Sequence, residues 1–430
     1  MGRIAIAVDL GATSLRTAFG EIRDGELCVE IYRQVATQTL PSNGKVSWNI
    51  GQIEGSVQAA LAIGQSFHRK GHDVSLGIDG WGVDIVMLDE RRNILSLPVA
   101  YRDASHVQQA AKMAARHGDF FRRTGVYPHP FNTMFQLAAR REEDSSLPDR
   151  ASWLMIPEYL IDALVPGAGG HELTNASTTG LVDIAGNWCA EIFDEIGWPI
   201  PSSAPVAPGS VVADLDGVKL VRVATHDTAS AVYGIGPLQP GECYLNLGTW
   251  GLLGTLLSEP LVSDAVLAAG FSNERGADGD IRFLKNIPGF HIINQLQDEL
   301  GLGASVANWL NAASDEPAET FDCFHESLFA PKSMVRACSA LLHRAPSDPA
   351  AWASVALDSL AAAILSETRR LGELIEQPID RIKLAGGGVN CIPLIERIER
   401  GGLGVTRCSP EATLRGNMLM QLRATGDWQP

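Results

Sequence analysis

In the stretch VRVATHDTASAVYGIG (221–236), His226 and Asp227 stand side by side among small and apolar residues. A carboxylate placed there could take the proton of a hydroxyl, and the imidazole beside it could exchange a hydrogen bond with the same molecule. Asp227 equally suits a helix N-cap. Val221 and Val223 read as the end of a strand, and Thr228 to Val232, built on Ala229 and Ala231, as the start of a helix. A second stretch, GIDGWGVD (77–84), sets Trp81 and Gly82 between Asp79 and Asp84. An aromatic face next to bare backbone suits a sugar, whose C–H face stacks and whose hydroxyls need polar partners. The same residues also read as a buried tryptophan in a hairpin.

Two further stretches are suited to phosphate. DLGATSLR (9–16) offers Gly11, where the missing Cβ lets backbone N–H groups approach an anion, and the hydroxyl of Thr13. Asp9, an acceptor only, suits Mg²⁺ directly or through water. NLGTWG (246–251) repeats the pattern with Gly248, Thr249 and Gly251. Either stretch alone is also an ordinary tight turn. The run GGGVN, Gly386 to Asn390, could lie flat against a planar group, with Asn390 adding a hydrogen bond, or be a plain loop. FLKNIPGFH (283–291) places Lys285 and Asn286 before a Pro–Gly break. His68 and His72 have helical spacing, but Gly71 interrupts it and no third ligand stands near, so they read as surface residues.

The elements that must carry these residues can be read from periodicity. IAIAV (4–8) and LRTAFGEI (15–22) predict two strands joined at Gly11. A strand–turn–strand unit differs from the Walker and dinucleotide loops, which must open a helix. CYLNLGTWGLLGTLL (243–257) predicts a second hairpin of the same design, so the chain reads as a duplication with each copy opening its own domain. The predicted boundary gives domains 1–236 and 237–430, in preference to the Pro/Ser-rich loop at 199–210. VSLGIDGWGVDIVMLDE (74–90) predicts two strands around the turn at 80–82. Helices are predicted over 52–69, 104–117, 133–143, 152–165, 357–375 and 410–422, and a strand ahead of the glycines at 386–388.

Composition narrows the function classes. At 430 residues the chain is too long for one ordinary core. A formal net charge of −16 argues against nucleic acid or anionic membrane as a main partner. It leaves phosphorylated ligands open, since a few local donors and Mg²⁺ can hold them. Seven cysteines without a C-x-x-C spacing point to a reducing, cytoplasmic setting rather than to zinc ribbons or a disulfide framework. The N-terminal MGRIAIAVDLG runs straight into a glycine turn, unlike a signal peptide, and no stretch reads as apolar for long enough to span a membrane. The Asn-Ala-Ser at 175–177 reads as a chance glycosylation match.

Taken together and in order, VDLGATSLR, VSWNI, GIDGWGVDIVMLDE, PVAYRD, FNTMFQL, TNASTT, HDTASAV, LGTWGLLG, NERG, RFLKNI, LAGGGVN and PEATLRGN resemble the FGGY carbohydrate kinases over most of the chain. The resemblance implies an α/β fold of two actin-like (ribonuclease-H-like) ATPase domains with a cleft between them, and transfer of phosphate from ATP to a small-molecule sugar. GIDGWGVD with HDTASAV points to the branch that phosphorylates O1 of L-rhamnulose, with L-fuculose and L-xylulose as alternative ketoses. An actin-like ATPase without sugar chemistry is another class, which would not need Trp81–Gly82 and His226–Asp227 together; a sugar-sensing regulator is a third, which would want a DNA-binding segment that this acidic chain does not show.

The resemblance also implies roles. Ala12, Thr13, Ser14, Leu15 and Arg16, after Gly11, would contact ATP phosphates, with Asp9 near Mg²⁺. Gly248 and Thr249 would hold phosphate from the second hairpin, while Asn294, Gly386, Gly387 and Asn390 would serve the nucleotide. Trp81, Gly82, His226, Thr228 and Asn286 would line the sugar pocket, and Asp227 would be the general base. Monomer and homodimer stay open. Departures from the branch gather late in the chain: Asn246-Leu247 for a Ser pair, Arg275 for Gly, Asn294 for Gln with Gln295 adjacent, and Pro288 to His291 for Met-Gly-Leu-Trp. They put the identity of the sugar in question.

Overall fold

The computed structural model describes residues 2–303, 305–329 and 331–426. The chain folds into two compact units. One runs to Gly234 and takes back Leu257–Phe283 and the described residues from Thr413 onward; the other comprises Ile235–Leu256 and Leu284–Ala412.

The first unit is organised by the continuous apolar run at its N-terminus. Strand Arg3–Leu10 is buried from Ile4 onward, on both faces, as a central strand requires. It pairs antiparallel with Ser14–Arg23 and parallel with Asp73–Gly80. The six-stranded order is Glu26–Ala36, Ser14–Arg23, Arg3–Leu10, Asp73–Gly80, Val218–Arg222, Ser210–Asp214. Alternation sorts the side chains by size. Ile4, Ile6, Val8 and Leu10 join Leu76, Ile78, Val218 and Leu220 in one core with Ile53, Val57 and Ala60 of helix Ile50–Arg69. Ala5 and Ala7 face the other way, against Leu414, Met418 and Leu422 of helix Ala412–Ala424.

Those small residues leave room for a buried polar ladder. Gln421 accepts from Ser75 Oγ (2.7 Å) and donates to the Ile6 carbonyl (2.9 Å) and to Asn417 Oδ1 (2.6 Å). Asn417 Nδ2 in turn donates to Asp79 Oδ2 (2.9 Å). Gly77 lies beneath the ladder, where a Cβ would come within 2.4 Å of Asn417 Oδ1.

In the second unit, strand Ile281–Pro288 from Leu284 onward, Trp250–Leu257 as far as Leu256, Glu242–Leu247, Arg381–Ala385 and Gly404–Arg407 follow in that order across a sheet. Glu242–Leu247 pairs antiparallel with Trp250–Leu257 and parallel with Arg381–Ala385. This is the pairing of the N-terminal hairpin over again, as the duplicated sequence pattern predicts.

Three expectations change. The strands on either side of Gly80–Gly82 are not a hairpin: Ile85–Leu88 leaves the main sheet to pair with Ser152–Met155. The predicted helix at 152–165 therefore begins as that strand and turns helical only at Ile156–Leu164, where Pro157 suits the first turn. Helix Pro349–Leu374, 26 residues long, does meet the length and hydropathy expected of a membrane span. Its Trp352, Val355, Leu357, Leu360, Ile364 and Leu371 are buried inside the protein, so that apolar character serves a core.

The tightest approach is between helices. A Cβ at Gly416 would stand 1.7 Å from the Ser230 carbonyl oxygen. Gly416→Ala is expected to force helix Ala412–Ala424 off helix Asp227–Ile235 and to cost on the order of 2 kcal/mol or more, measured as a lowered midpoint in urea.

Candidate active site

Three adjacent parallel strands deliver three carboxylates. Asp9, near the end of Arg3–Leu10, is the direct neighbour of Asp79 in Asp73–Gly80. The chain leaving Val218–Arg222 continues the same sheet, with Gly80 N donating to the Thr225 carbonyl at 2.9 Å and Gly80 bridged to His226. Asp227 follows immediately. Ligands commonly bind at the carboxyl ends of parallel strands, where loops and helix N-termini meet.

Asp227 is not the cap of its helix. Ser230 N donates to the His226 carbonyl at 3.0 Å, so His226 holds the cap position and Asp227 is the first helical residue. Its carboxylate is left for other work and takes one bond within the helix turn, from Thr228 Oγ1 at 3.0 Å. The Asp227 side chain keeps 29% of its surface accessible. Burial of the rest, and then the charge of Asp9, push its pKa up to about 6 against the pull of Thr228. Burial and the same Asp9 hold Asp79 well above the ordinary carboxylate range, opposed by the Asn417 hydrogen bond. Asp9 itself is buried and paired with the Arg16 guanidinium, whose Nε donates to Oδ2 at 2.9 Å.

Gly82 and His226, singled out separately in the sequence, meet here. A Cβ on Gly82 would reach Thr178 Oγ1 at 2.9 Å, Asn175 Oδ1 at 3.3 Å and His226 Cδ2 at 3.4 Å. Next to it, Val83 adopts φ +69°, a conformation costly for a β-branched residue. Thr133 Oγ1 (2.7 Å) and Gln136 Nε2 (3.1 Å) hold its carbonyl in place. Asp84 Oδ2 pins two indoles, accepting from Trp48 Nε1 (2.6 Å) and Trp81 Nε1 (3.0 Å), while Oδ1 takes Gln136 Nε2 at 3.0 Å. The Trp48 and Trp81 rings sit 4.4 Å apart, centre to centre.

Beneath His226 lies a carboxyl pair. Thr225 donates its N–H to Glu172 at 2.9 Å and its hydroxyl to Glu158 at 2.6 Å. Both glutamates are fully buried, and burial followed by the neighbouring Glu172 pushes Glu158 up to about 8. Glu158 also holds the Asn175 amide at 3.2 Å. Asn175 is wholly buried, so the glycosylation match at that position is a core residue.

Of the first hairpin, Thr13 is exposed at the tip, and the loop is closed by Gly11 N to the Ser14 carbonyl at 3.0 Å. Gly11, Ala12, Ser14 and Arg16 are half-buried around it, whereas the Leu15 side chain is core and offers only backbone. In the second unit, Gly248, Thr249, Asn294, Gly387 and Asn390 line one cavity of about 300 Å³. Its walls also include Phe290, Val306, Ala307 and Leu310, none of which periodicity or spacing marks out. Gly386 stands behind, with φ +73°; a Cβ there would lie 2.8 Å from the Leu247 carbonyl oxygen. Asn286 is half-buried in strand Ile281–Pro288, while its neighbour Lys285 pairs with Glu367 at 2.8 Å.

Asp84→Asn is expected to set an amide N–H₂ against the Gln136 donor and to cost about 2 kcal/mol in urea unfolding, with a changed tryptophan emission as Trp48 and Trp81 lose their anchor. Comparison with known proteins identifies the family. Residues 4–212 match the N-terminal domain of the FGGY family of carbohydrate kinases, and residues 243–425 its C-terminal domain. A rhamnulokinase of Bacillus subtilis (strain 168) is 31% identical over 98% of this chain and 90% of its own length. One from Yersinia pestis (strain Pestoides F) is 33% identical with the same coverage, 98% and 90%. A ligand-bound xylulose kinase from Lactobacillus acidophilus shares the fold, with a TM-score of 0.84 over 100% of this chain and 90% of that one, at 15% identity. The chain belongs to the FGGY family of carbohydrate kinases and is a sugar kinase with the two-domain actin-like fold of that family.

Proposed function

We propose that the protein transfers the γ-phosphate of ATP to O1 of L-rhamnulose, giving L-rhamnulose 1-phosphate and ADP, with Asp227 as general base. The observation that carries this reading is the placement of Asp227. It is a part-accessible carboxylate at the end of a parallel strand, beside His226, which itself adjoins Gly82. The choice of sugar rests on the relatives named rhamnulokinase.

A sugar hydroxyl is a weak nucleophile. As O1 attacks the γ-phosphorus, its proton passes to Asp227 and the bond from phosphorus to the ADP oxygen breaks. A base with a pKa of about 6 is ionised near neutrality yet basic enough to assist that transfer. Thr228 steers the carboxylate through its 3.0 Å hydrogen bond. Gly82 leaves space that a methyl group would fill, and Trp81 offers an indole held by Asp84. We assign Asn286 to the sugar and the Gly11–Arg16 hairpin to phosphate. We assign the cavity at Gly248, Thr249, Asn294, Gly387 and Asn390 to the nucleotide, with Gly386 shaping its glycine turn. The domain boundary we place after Gly236.

Mg²⁺ fits this donor set. Among the described residues no three His, Cys, Asp or Glu side chains form a cage. Mg²⁺ is ordinarily held by one or two carboxylates together with substrate phosphates and water, which is what Asp9 offers. The mutual repulsion of Asp9, Asp79 and Asp227 is what a divalent cation would relieve. Asp9 would hold the ion, which would supply charge neutralisation to the nucleotide phosphates when bound.

ADP release with Mg²⁺–ATP against L-rhamnulose, L-fuculose, L-xylulose, L-ribulose, D-xylulose and glycerol tests the assignment. L-rhamnulose is expected to give the highest kcat/KM; preference for another ketose would move the substrate, and no sugar-dependent turnover would end this reading. Asp227→Ala is expected to lower kcat by about 10³-fold. Because the base must be ionised, kcat/KM is expected to fall about tenfold per pH unit below pH 6 and to level off above it. Ala307→Trp, which fills the second-unit cavity, is expected to raise the KM for ATP about tenfold or more and to leave the KM for sugar unchanged.

A further inference from the structure

Beside the acids lies a buried ion pair that no step above uses. Arg282, in strand Ile281–Pro288, is fully buried. Its Nη2 donates to Glu274 Oε2 at 2.9 Å and to His226 Nδ1 at 3.0 Å, and its Nε donates to the Arg275 carbonyl at 3.1 Å. Nη1 is buried without a hydrogen-bond partner among the described residues. Arg282 is on the Nδ1 side, where Glu274 Oε2 also lies 3.6 Å from Nδ1, and Asp227 Oδ1 lies 3.6 Å from Nε2.

A guanidinium only donates. An imidazole nitrogen facing it must therefore present a lone pair, and the ring's one proton must sit on the other nitrogen. We infer that Arg282, held by Glu274, is a positioning residue that fixes His226 as the neutral Nε2–H tautomer and so makes it a hydrogen-bond donor to the sugar hydroxyl that Asp227 deprotonates. The part about the sugar rests on the kinase reading above; the part about the tautomer does not.

The logic is that of opposite roles on one hydroxyl group. Asp227 can only accept, so it takes the proton of the reacting hydroxyl. A donor beside it completes the recognition of the sugar by bonding to an oxygen lone pair. A His226 with the proton on Nδ1 would present a second acceptor there, and an imidazolium would present a donor to the guanidinium. Burial and the Arg282 charge both disfavour the charged ring. The unpartnered Nη1 points the same way: a buried donor left unmatched is costly, and an oxygen of a bound molecule would satisfy it. Glu274 and Arg282 fall in the segments NERG and RFLKNI, but each lies over 40 residues from His226 and neither spacing nor periodicity joins them to it.

The test is ¹H–¹⁵N long-range correlation on ¹⁵N-histidine-labelled full-length protein, with the His226 signals assigned by His226→Gln. In the wild type Nδ1 is expected to be pyridine-like and Nε2 pyrrole-like, unchanged between pH 6 and 8. Arg282→Lys keeps a donor-only group and is expected to keep the tautomer. Arg282→Gln can turn either its N–H₂ or its carbonyl to the ring and is expected to give a mixture. In sugar kinetics Arg282→Gln is expected to raise the KM for sugar about tenfold with the KM for ATP unmoved, and Arg282→Lys to recover most of that. A protonated Nδ1 in the wild type overturns the inference. So does an Arg282→Gln protein that folds with an unchanged tautomer, or one with an unchanged sugar KM. If no sugar is phosphorylated at all, the kinase reading falls, and the spectra still decide the tautomer.

Discussion

The first unit is arranged around one electrostatic constraint: Asp9, Asp79 and Asp227 share the carboxyl end of three neighbouring parallel strands, where burial and mutual repulsion raise the cost of charge. Parallel strands force this proximity, because equivalent residues of adjacent strands stand side by side. Each acid is then treated differently. Asp9 is matched by Arg16, Asp79 receives the amide of Asn417, and Asp227 keeps an accessible face. Different surroundings thus give the chemically identical groups of Asp79 and Asp227 different protonation behaviour, which is the usual route to an acid–base site.

Supporting this costs the fold several local concessions. The Val83 backbone is held in a left-handed conformation. Glycines at 77 and 82 keep space that a single methyl group would occupy. The helix at Ala412–Ala424, from the end of the chain, supplies the polar ladder that reaches Asp79. Two Trp indoles converge on the single carboxylate of Asp84. Concessions of this kind are expected where a site needs open space and rigid geometry together.

The second unit repeats the hairpin and uses it otherwise. Its tip accepts the first N–H groups of helix Phe290–Glu299: Phe290 N bonds the Gly248 carbonyl and His291 N the Thr249 carbonyl, both at 2.9 Å. A Cβ at Gly289 would stand 2.7 Å from both of those carbonyl oxygens, so a glycine is required there. Pro288 to His291 form this joint, and Trp250 stacks on His291 at 4.1 Å. Phe290, the first residue of that helix, lines the same cavity as Gly248, Thr249, Gly387 and Asn390.

Local features made much of this legible beforehand. The run IAIAV, buried on both faces, announces a central strand; Gly and Thr between alternating runs announce each hairpin; and a His–Asp pair between a strand and a helix invites chemistry. Those are properties of neighbours in sequence, decided by backbone geometry and side-chain period. Only the tertiary structure could move the strand after Gly82 out of the main sheet, since its pairing with Ser152–Met155 depends on partners 64 to 70 residues away. Only it could hand the cap of helix Asp227–Ile235 to His226 and leave the Asp227 carboxylate available. Only it could bring Asn417 to Asp79 and Arg282 to His226. A polar residue is recognisable as part of a site only through the partner it meets in space, and periodicity carries no record of that partner.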